Sequence, residues 1–295
     1  LVFGPNDYKG LKAYGHAYEK VIPLGGKIIG VFTKYVIIPL FDWLSKFISN
    51  FGIIILLMTI FIKIVVLPLA YKSYASSAKM SALKPFIDKI NAKYPKQEDA
   101  MKKQQETMEL YKKAGVNMMG GCLPMLLQMP ILWAMFRFFP ASIELRQQPF
   151  LWCQDLSAYD AIVDFGTRVP LIGDHISLFA LLMAVTMWID SKMTMSGQAT
   201  ANDPNAQSMQ FMTKWMMPIM MFFICNSLSA ALSYYYLLSQ LISMLQIWVI
   251  RKFIVKPEKV YARMAANENK PVKKSKWQQR LEEAQRMQEQ QMQLF

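Results

Sequence analysis

A chain of 295 residues that is 54% hydrophobic, with 23 Met and 18 Phe, yet carries a net charge of +13, is too apolar for a soluble domain of that basicity. Its apolar residues stand in long blocks rather than short amphipathic periods, which predicts an all-α, polytopic membrane protein. The first residues, "LVFGPNDYKG", have no initiator Met, basic n-region or apolar h-region, so a preceding segment is expected to have been removed.

In chain order, 27–50 comes first: "KIIGVFTKYVIIPLFDWLSKFISN" punctuates an apolar helix with Lys27, Lys34, Asp42 and Lys46. The pattern predicts an amphipathic helix in the outer interface, the other reading being a sixth transmembrane helix broken by Pro39. Five blocks then approach the roughly 20 apolar residues that a span needs. They are 51–70, 119–139, 171–189, 211–227 and 230–250, the last two joined tightly by "NSLSA". Between the first two, Met80, Leu83, Ile87, Ile90 and Tyr94 step by 3 and 4 residues, and a second helix ends at Gly115. Residues 71–118 are therefore expected to form a Lys-rich helical hairpin, with Pro85 kinking its first helix or marking that helix's real start.

Charge orients the chain. Residues 71–118 hold ten Lys against five acids, and the tail from Arg251 holds eleven Lys and Arg against five acids, whereas 140–175 holds two Arg against five acids. Because Lys and Arg gather on the cytoplasmic side, the hairpin and the tail 251–295 are expected inside, and the loop 140–175 and residues 1–26 outside.

Lys63 is the anomaly. It stands inside "MTIFIKIVVLPLA", nine residues from Lys72 at the inner boundary. That is about 13 Å at about 1.5 Å per residue, of which snorkelling covers roughly half. Asp190, at the inner end of the third block, is a poor match in depth. A lysine without a carboxylate partner implies a water-filled cavity, or else snorkelling or a lipid phosphate. Thr59 lies one turn before it, Gln128 lies mid-block in the second span, and Ser229, Ser233, Tyr236, Gln240 and Ser243 draw a polar stripe along the last. These residues either wall the cavity or only hydrogen-bond neighbouring helices.

Enzymatic chemistry has no visible seat. His16 and His175 have no ligand spacing, Cys122, Cys153 and Cys225 fall in different segments, and no H-E-x-x-H, G-x-S-x-G or G-x-x-x-x-G-K-[ST] occurs. No enzyme activity, metal or cofactor is expected. A small-solute or ion transporter coupled through Lys63 is the alternative, but neither an internal repeat nor an acidic coupling residue is visible.

"VNMMGGCLPMLLQMPI" (116–131), "SIELRQQPFLWCQDLSAYD" (142–160), the Pro-bearing first span and Met80 resemble, in order, the signatures of the YidC insertases of bacterial inner membranes. The resemblance implies five core helices around a hydrophilic groove open to the cytosol, a cytosolic hairpin, an outer amphipathic helix, and a periplasmic start and cytosolic end for this chain. It also implies a function, insertion and folding of nascent membrane proteins, alone or beside the Sec translocon. The ribosome, the signal recognition pathway and anionic lipids would meet the hairpin and tail. The family's single groove cation is usually Arg; here the position matches Lys63, which keeps the charge and loses the bidentate fork. Thr59 and Tyr236 match client-contacting positions, Gln128 fits the groove wall, and "FGPNDYK" resembles the end of a preceding periplasmic domain.

Overall fold

In the computed structural model, the described residues are 8–16, 18–22, 26–94, 100–116, 123–170, 172–195, 208 and 210–266. The first residues of the chain, most of "VNMMGG" with Cys122, and the distal tail from 267 lie outside them. The described chain is mostly helical, with one departure from the all-α expectation: β1 (Val163–Val169) and β2 (Gly173–Ile176) pair antiparallel, Val163 opposite Ile176 and Asp164 opposite His175.

α1 (Tyr8–Ala13) leads to α2 (Lys27–Phe32), a π turn over Thr33–Ile37, and α3 (Ile38–Ser45). Pro39 falls in the first turn of α3, where a missing N–H breaks no helical bond, so the segment continues through it. Helix is lost after Ser45, earlier than the expected 27–50. Ile37, Phe41 and Leu44 face inward, while Tyr35, Trp43 and Phe47 are exposed.

α4 (Phe51–Ala82) is capped by Asn50, whose side chain accepts from the Ile53 N–H at 3.2 Å. It is twelve residues longer than the expected 51–70, because Pro68 is carried inside the helix without ending it. The real break is at Leu83: α5 (Lys84–Lys93) restarts there with Pro85 in its first turn. Leu83, Ile87 and Ile90 are buried, so the predicted seam faces a core although it crosses two helices. α6 (Ala100–Lys113) ends in a Schellman motif. Val116 N–H donates to Tyr111 C=O at 2.8 Å, Gly115 N–H to Lys112 C=O at 3.0 Å, and Gly115 takes a φ of 65°.

α7 (Leu123–Ala141) precedes a loop and the β pair; α8 (Leu178–Met195) then starts seven residues later than the expected 171, since β2 occupies that stretch. A π turn (Met212–Met216) leads into α9 (Met217–Asn226), and a short turn into α10 (Ala230–Val249). A last π turn (Ile250–Ile254) and α11 (Pro257–Ala266) follow. Among the described residues, two helices are long and apolar enough to cross a membrane, Phe51–Ala82 and Ala230–Ile254.

α4, α7, α8 and α10 pack together, with α9 against α8 and α3 against α4. Ile54, Ile55, Met58, Met135, Phe139, Phe179 and Tyr235 form the centre of this core. A second core lies at the far end of α4, where Tyr74, Met80, Leu83, Ile87 and Tyr111 meet Ile247, Val255 and Val260. The first part of the expected tail is thus folded: α11 lies against α4 and α6, and Tyr261 Oη donates to the Ala82 carbonyl at 2.9 Å.

The opposite, loop end is closed by hydrogen bonds from main chain to main chain. The first N–H groups of α10 are orphans of helix geometry, and the loop takes them: Ala230 N–H donates to Ala158 C=O at 2.7 Å and Ala231 N–H to Leu156 C=O at 2.9 Å. Asp160, 2% exposed, does the same for α8 with its side chain, accepting from Phe179 N–H and from the Trp152 indole, each at 2.9 Å, and from the Ser177 hydroxyl. Ser177 itself caps α8 by accepting from Ala180 N–H at 3.1 Å.

Candidate functional site

An amphipathic lysine on a span normally runs its stem along the helix and keeps its ammonium wet. Lys63 does not. It is 7% exposed, on the face of α4 turned toward α7 and α10, and its Nζ donates to Gln128 Oε1 at 3.1 Å and to Ser243 Oγ at 2.8 Å. Gln128 spends its amide on Ser239 Oγ at 3.3 Å, so three helices are joined through one ammonium and one carboxamide. Hydrogen bonds from a charged donor are worth about twice neutral ones, and here both are made to neutral oxygens. Two of the three ammonium N–H groups are thereby spent.

The predicted wall residues divide. Gln128 and Ser243 meet Lys63. Thr59 is fully buried one turn away but donates to its own helix, at the Ile55 carbonyl, 2.6 Å distant. Ser233 donates to the Cys225 carbonyl at 3.2 Å, at the loop end of the bundle. Gln240 turns to α8, where its amide donates to Asp190 Oδ2 at 2.8 Å. Tyr236 is half-buried, its ring edge-on to Tyr235 at 5.9 Å.

The stripe splits for a geometric reason. At about 100° per residue, Ser239 and Ser243 lie about 40° apart on α10, and Gln240 lies about 60° from Ser243 on the other side, which suffices to face a different neighbour. Ser239 escaped the sequence reading, although its spacing of four from Ser243 is itself the signal. Asp190, weighed above as a partner for Lys63, meets Gln240 instead. It accepts from the Gln240 amide at 2.8 Å, on the side of α10 turned to α8. Arg251 in turn donates from Nη1 to the Met193 carbonyl at 2.7 Å, a second polar tie between α8 and the end of α10.

Among the described residues no cluster of His, Cys, Asp or Glu is built to hold a metal. Cys153 and Cys225 are buried free thiols.

A family profile described as 60Kd inner membrane protein matches residues 43–258. The chain belongs to that family. The match spans α3 to the start of α11, and so includes Lys63, Gln128, Ser239 and Ser243.

Among similar curated proteins, the membrane protein insertase YidC of Parabacteroides distasonis is 48% identical over 301 residues, covering 97% of this chain and 47% of that protein. That of Bacteroides fragilis is 48% identical over 296 residues, covering 98% of this chain and 48% of the relative. The chain thus spans about half the length of the curated relatives it matches. A crystal structure described as an active YidC insertase with its first transmembrane domain resolved shares the fold at a TM-score of 0.52 and 25% identity, over 85% of this chain and 54% of that one.

Proposed function

We propose that this chain is the core of a membrane protein insertase, and that Lys63 is the charge on which its clients' acidic segments are received. The observation that carries the reading is the seat of Lys63: a cation held inside an apolar bundle by two neutral side chains and left with one N–H unspent. A charge near the middle of a bilayer costs roughly 2.5 to 3.5 kcal/mol on insertion scales, and a chain keeps it there for use.

On this reading α4, α7, α8, α9 and α10 are the five spans, around a hydrophilic groove open to the cytosol. The loop 140–175 faces the periplasm, α2 and α3 lie in the outer interface, and α5 and α6 project as a hairpin into the cytosol. Lys63, Gln128 and Ser243 form the groove floor, with Ser239 behind them. Thr59, Tyr236, Gln240 and Ser233 line its walls at other heights. Polar flanks of a nascent membrane protein enter without crossing a full hydrocarbon core, where an unsatisfied polar backbone group costs several kcal/mol. A client carboxylate takes the remaining N–H of Lys63, and the apolar span then partitions into lipid. The Lys-rich α5, α6 and tail suit the ribosome, the signal recognition pathway, the Sec translocon and anionic head groups as partners.

Insertion of a single-span client with an acidic translocated tail into liposomes carrying this protein tests the proposal. Lys63→Ala abolishes insertion, Lys63→Arg preserves it, and neutralising the client's tail removes the difference. Equal insertion by Lys63→Ala and the parent chain would refute it.

A further inference from the structure

The loop end holds a buried histidine that the groove does not use. His175, on β2, is 6% exposed, and both its ring nitrogens stand at hydrogen-bond distance from oxygen acceptors. Nδ1 is 2.6 Å from Asp174 Oδ1, and Nε2 is 2.7 Å from the backbone carbonyl oxygen of Asn226. A carboxylate and a carbonyl have no proton to give. A neutral imidazole has a single N–H and would turn a lone pair toward one of these oxygens; the imidazolium donates to both.

Acidic groups and a π face surround the ring. Asp174 is its neighbour on β2, Asp164 is its cross-strand partner on β1, and Asp160 is reached through the adjacent Ser177. The Tyr159 ring is stacked on the imidazole at 3.7 Å and 12°, offering a π face to the charge. From α9, Asn226 presents a carbonyl and an uncharged amide. That amide donates to the Ile172 and His175 carbonyls at 2.9 Å and accepts from Ser177 N–H at 2.8 Å. His175 and Asn226 therefore tie β2 to the turn between α9 and α10, the turn on which the bundle closes.

We propose that His175 is held as an imidazolium and that its charge clasps β2 to the α9–α10 turn. A neutral imidazole in the same place would leave either Asp174 or the Asn226 carbonyl facing a lone pair at contact distance, and the clasp would open. That this end is the outer one rests on the topology proposed above; the charge state does not.

The chain has two histidines, so a His16→Gln protein carrying 15N-labelled imidazole in lipid nanodiscs reports on His175 alone. At pH 7 both ring nitrogens are expected to be protonated. His175→Gln, which carries no charge, is expected to raise amide exchange at Ser177 and Ala230, corrected for intrinsic rate, at least ten-fold. Asp174→Asn, on a half-exposed side chain, is expected to leave one ring nitrogen of His175 unprotonated at pH 7 and to raise the same exchange. A neutral single tautomer at pH 7 in the parent chain, exchange in His175→Gln at the parent rate, or an Asp174→Asn protein with both ring nitrogens protonated and exchange unchanged would each overturn the proposal. None of these readouts passes through insertion, so failure of the insertase reading would leave them standing.

Discussion

Lys63 Nζ lies 2.8 Å from Ser243 Oγ, a residue 180 positions along the chain, and that one bond seats the charge of α4 on α10. Both helices are long and apolar enough to span a membrane, and they are thereby joined at their polar middle.

A buried cation kept for use should be dispensable for folding. Replacing a buried charge by an apolar side chain of similar volume is often neutral or stabilising, by about 1 to 4 kcal/mol. Lys63→Met is accordingly expected to hold or raise the melting temperature in detergent while insertion into liposomes falls to background. Loss of both together would show Lys63 to be structural.

Gly52 sits in the first turn of α4 under the Phe150 ring, and a Cβ placed there would stand 2.1 to 2.3 Å from three of its atoms. Phe150 is itself backed by Tyr234 at 5.0 Å and has little room to retreat. Overpacking of this kind costs about 1 to 3 kcal/mol. Gly52→Ala should lower thermal stability by that order, and Phe150→Leu in the same chain should recover part of it.

Tyr261 on α11 donates to the Ala82 carbonyl at the end of α4 and packs edge-on against Phe86 at 5.3 Å. Tyr261→Phe keeps the ring contact and removes a bond worth about 0.5 to 1.5 kcal/mol. Amide exchange in α5 is expected to quicken in that variant while α7 and α8 are unchanged.

Lys93 donates to both carboxylate oxygens of Glu106 at 3.0 Å, tying α5 to α6. The bond to Lys93 holds the Glu106 carboxyl below its usual range, and the bond to Glu106 holds the Lys93 ammonium above its own. A lowered carboxyl contributes stability above its unfolded pKa and loses it as pH falls through the folded one. A raised ammonium contributes below its unfolded pKa and loses it as pH rises through the folded one. The tie is therefore level around neutrality and is lost in strong acid. Both side chains meet water, so the effect is small. Protection of α6 amides should fall slightly more on acidification in the parent chain than in Glu106→Gln.

Hydropathy and charge made the helical architecture legible, because apolar blocks of this length admit few structures. Lys63, Gln128 and Ser243 could also be picked out, since a polar group in an apolar run is conspicuous whatever surrounds it. Boundaries were harder to read. Pro68 looks like a stop and is carried inside α4, whereas Leu83, with no breaker of its own, ends that helix because Pro85 starts the next. β2 (Gly173–Ile176) pairs with β1 where apolar content alone reads as the start of a span. The Asp160 network was invisible because its members come from three separated stretches, and only the fold brings an acid at 160 to an amide at 179.

α4 has a mechanical consequence. Its 32 residues measure about 48 Å at about 1.5 Å per residue, against a hydrocarbon thickness of about 30 Å. Lys63 and Met80 ride on that one rod, about 26 Å apart. α4 is therefore a lever. A tilt of about 5° imposed where α5, α6 and α11 grip its far end would carry the ammonium about 2 Å sideways. Such a displacement would lengthen the 2.8 Å bond to Ser243 unless α10 or the bend at Pro68 took it up, so the seat of the charge and the grip on the far end share one helix.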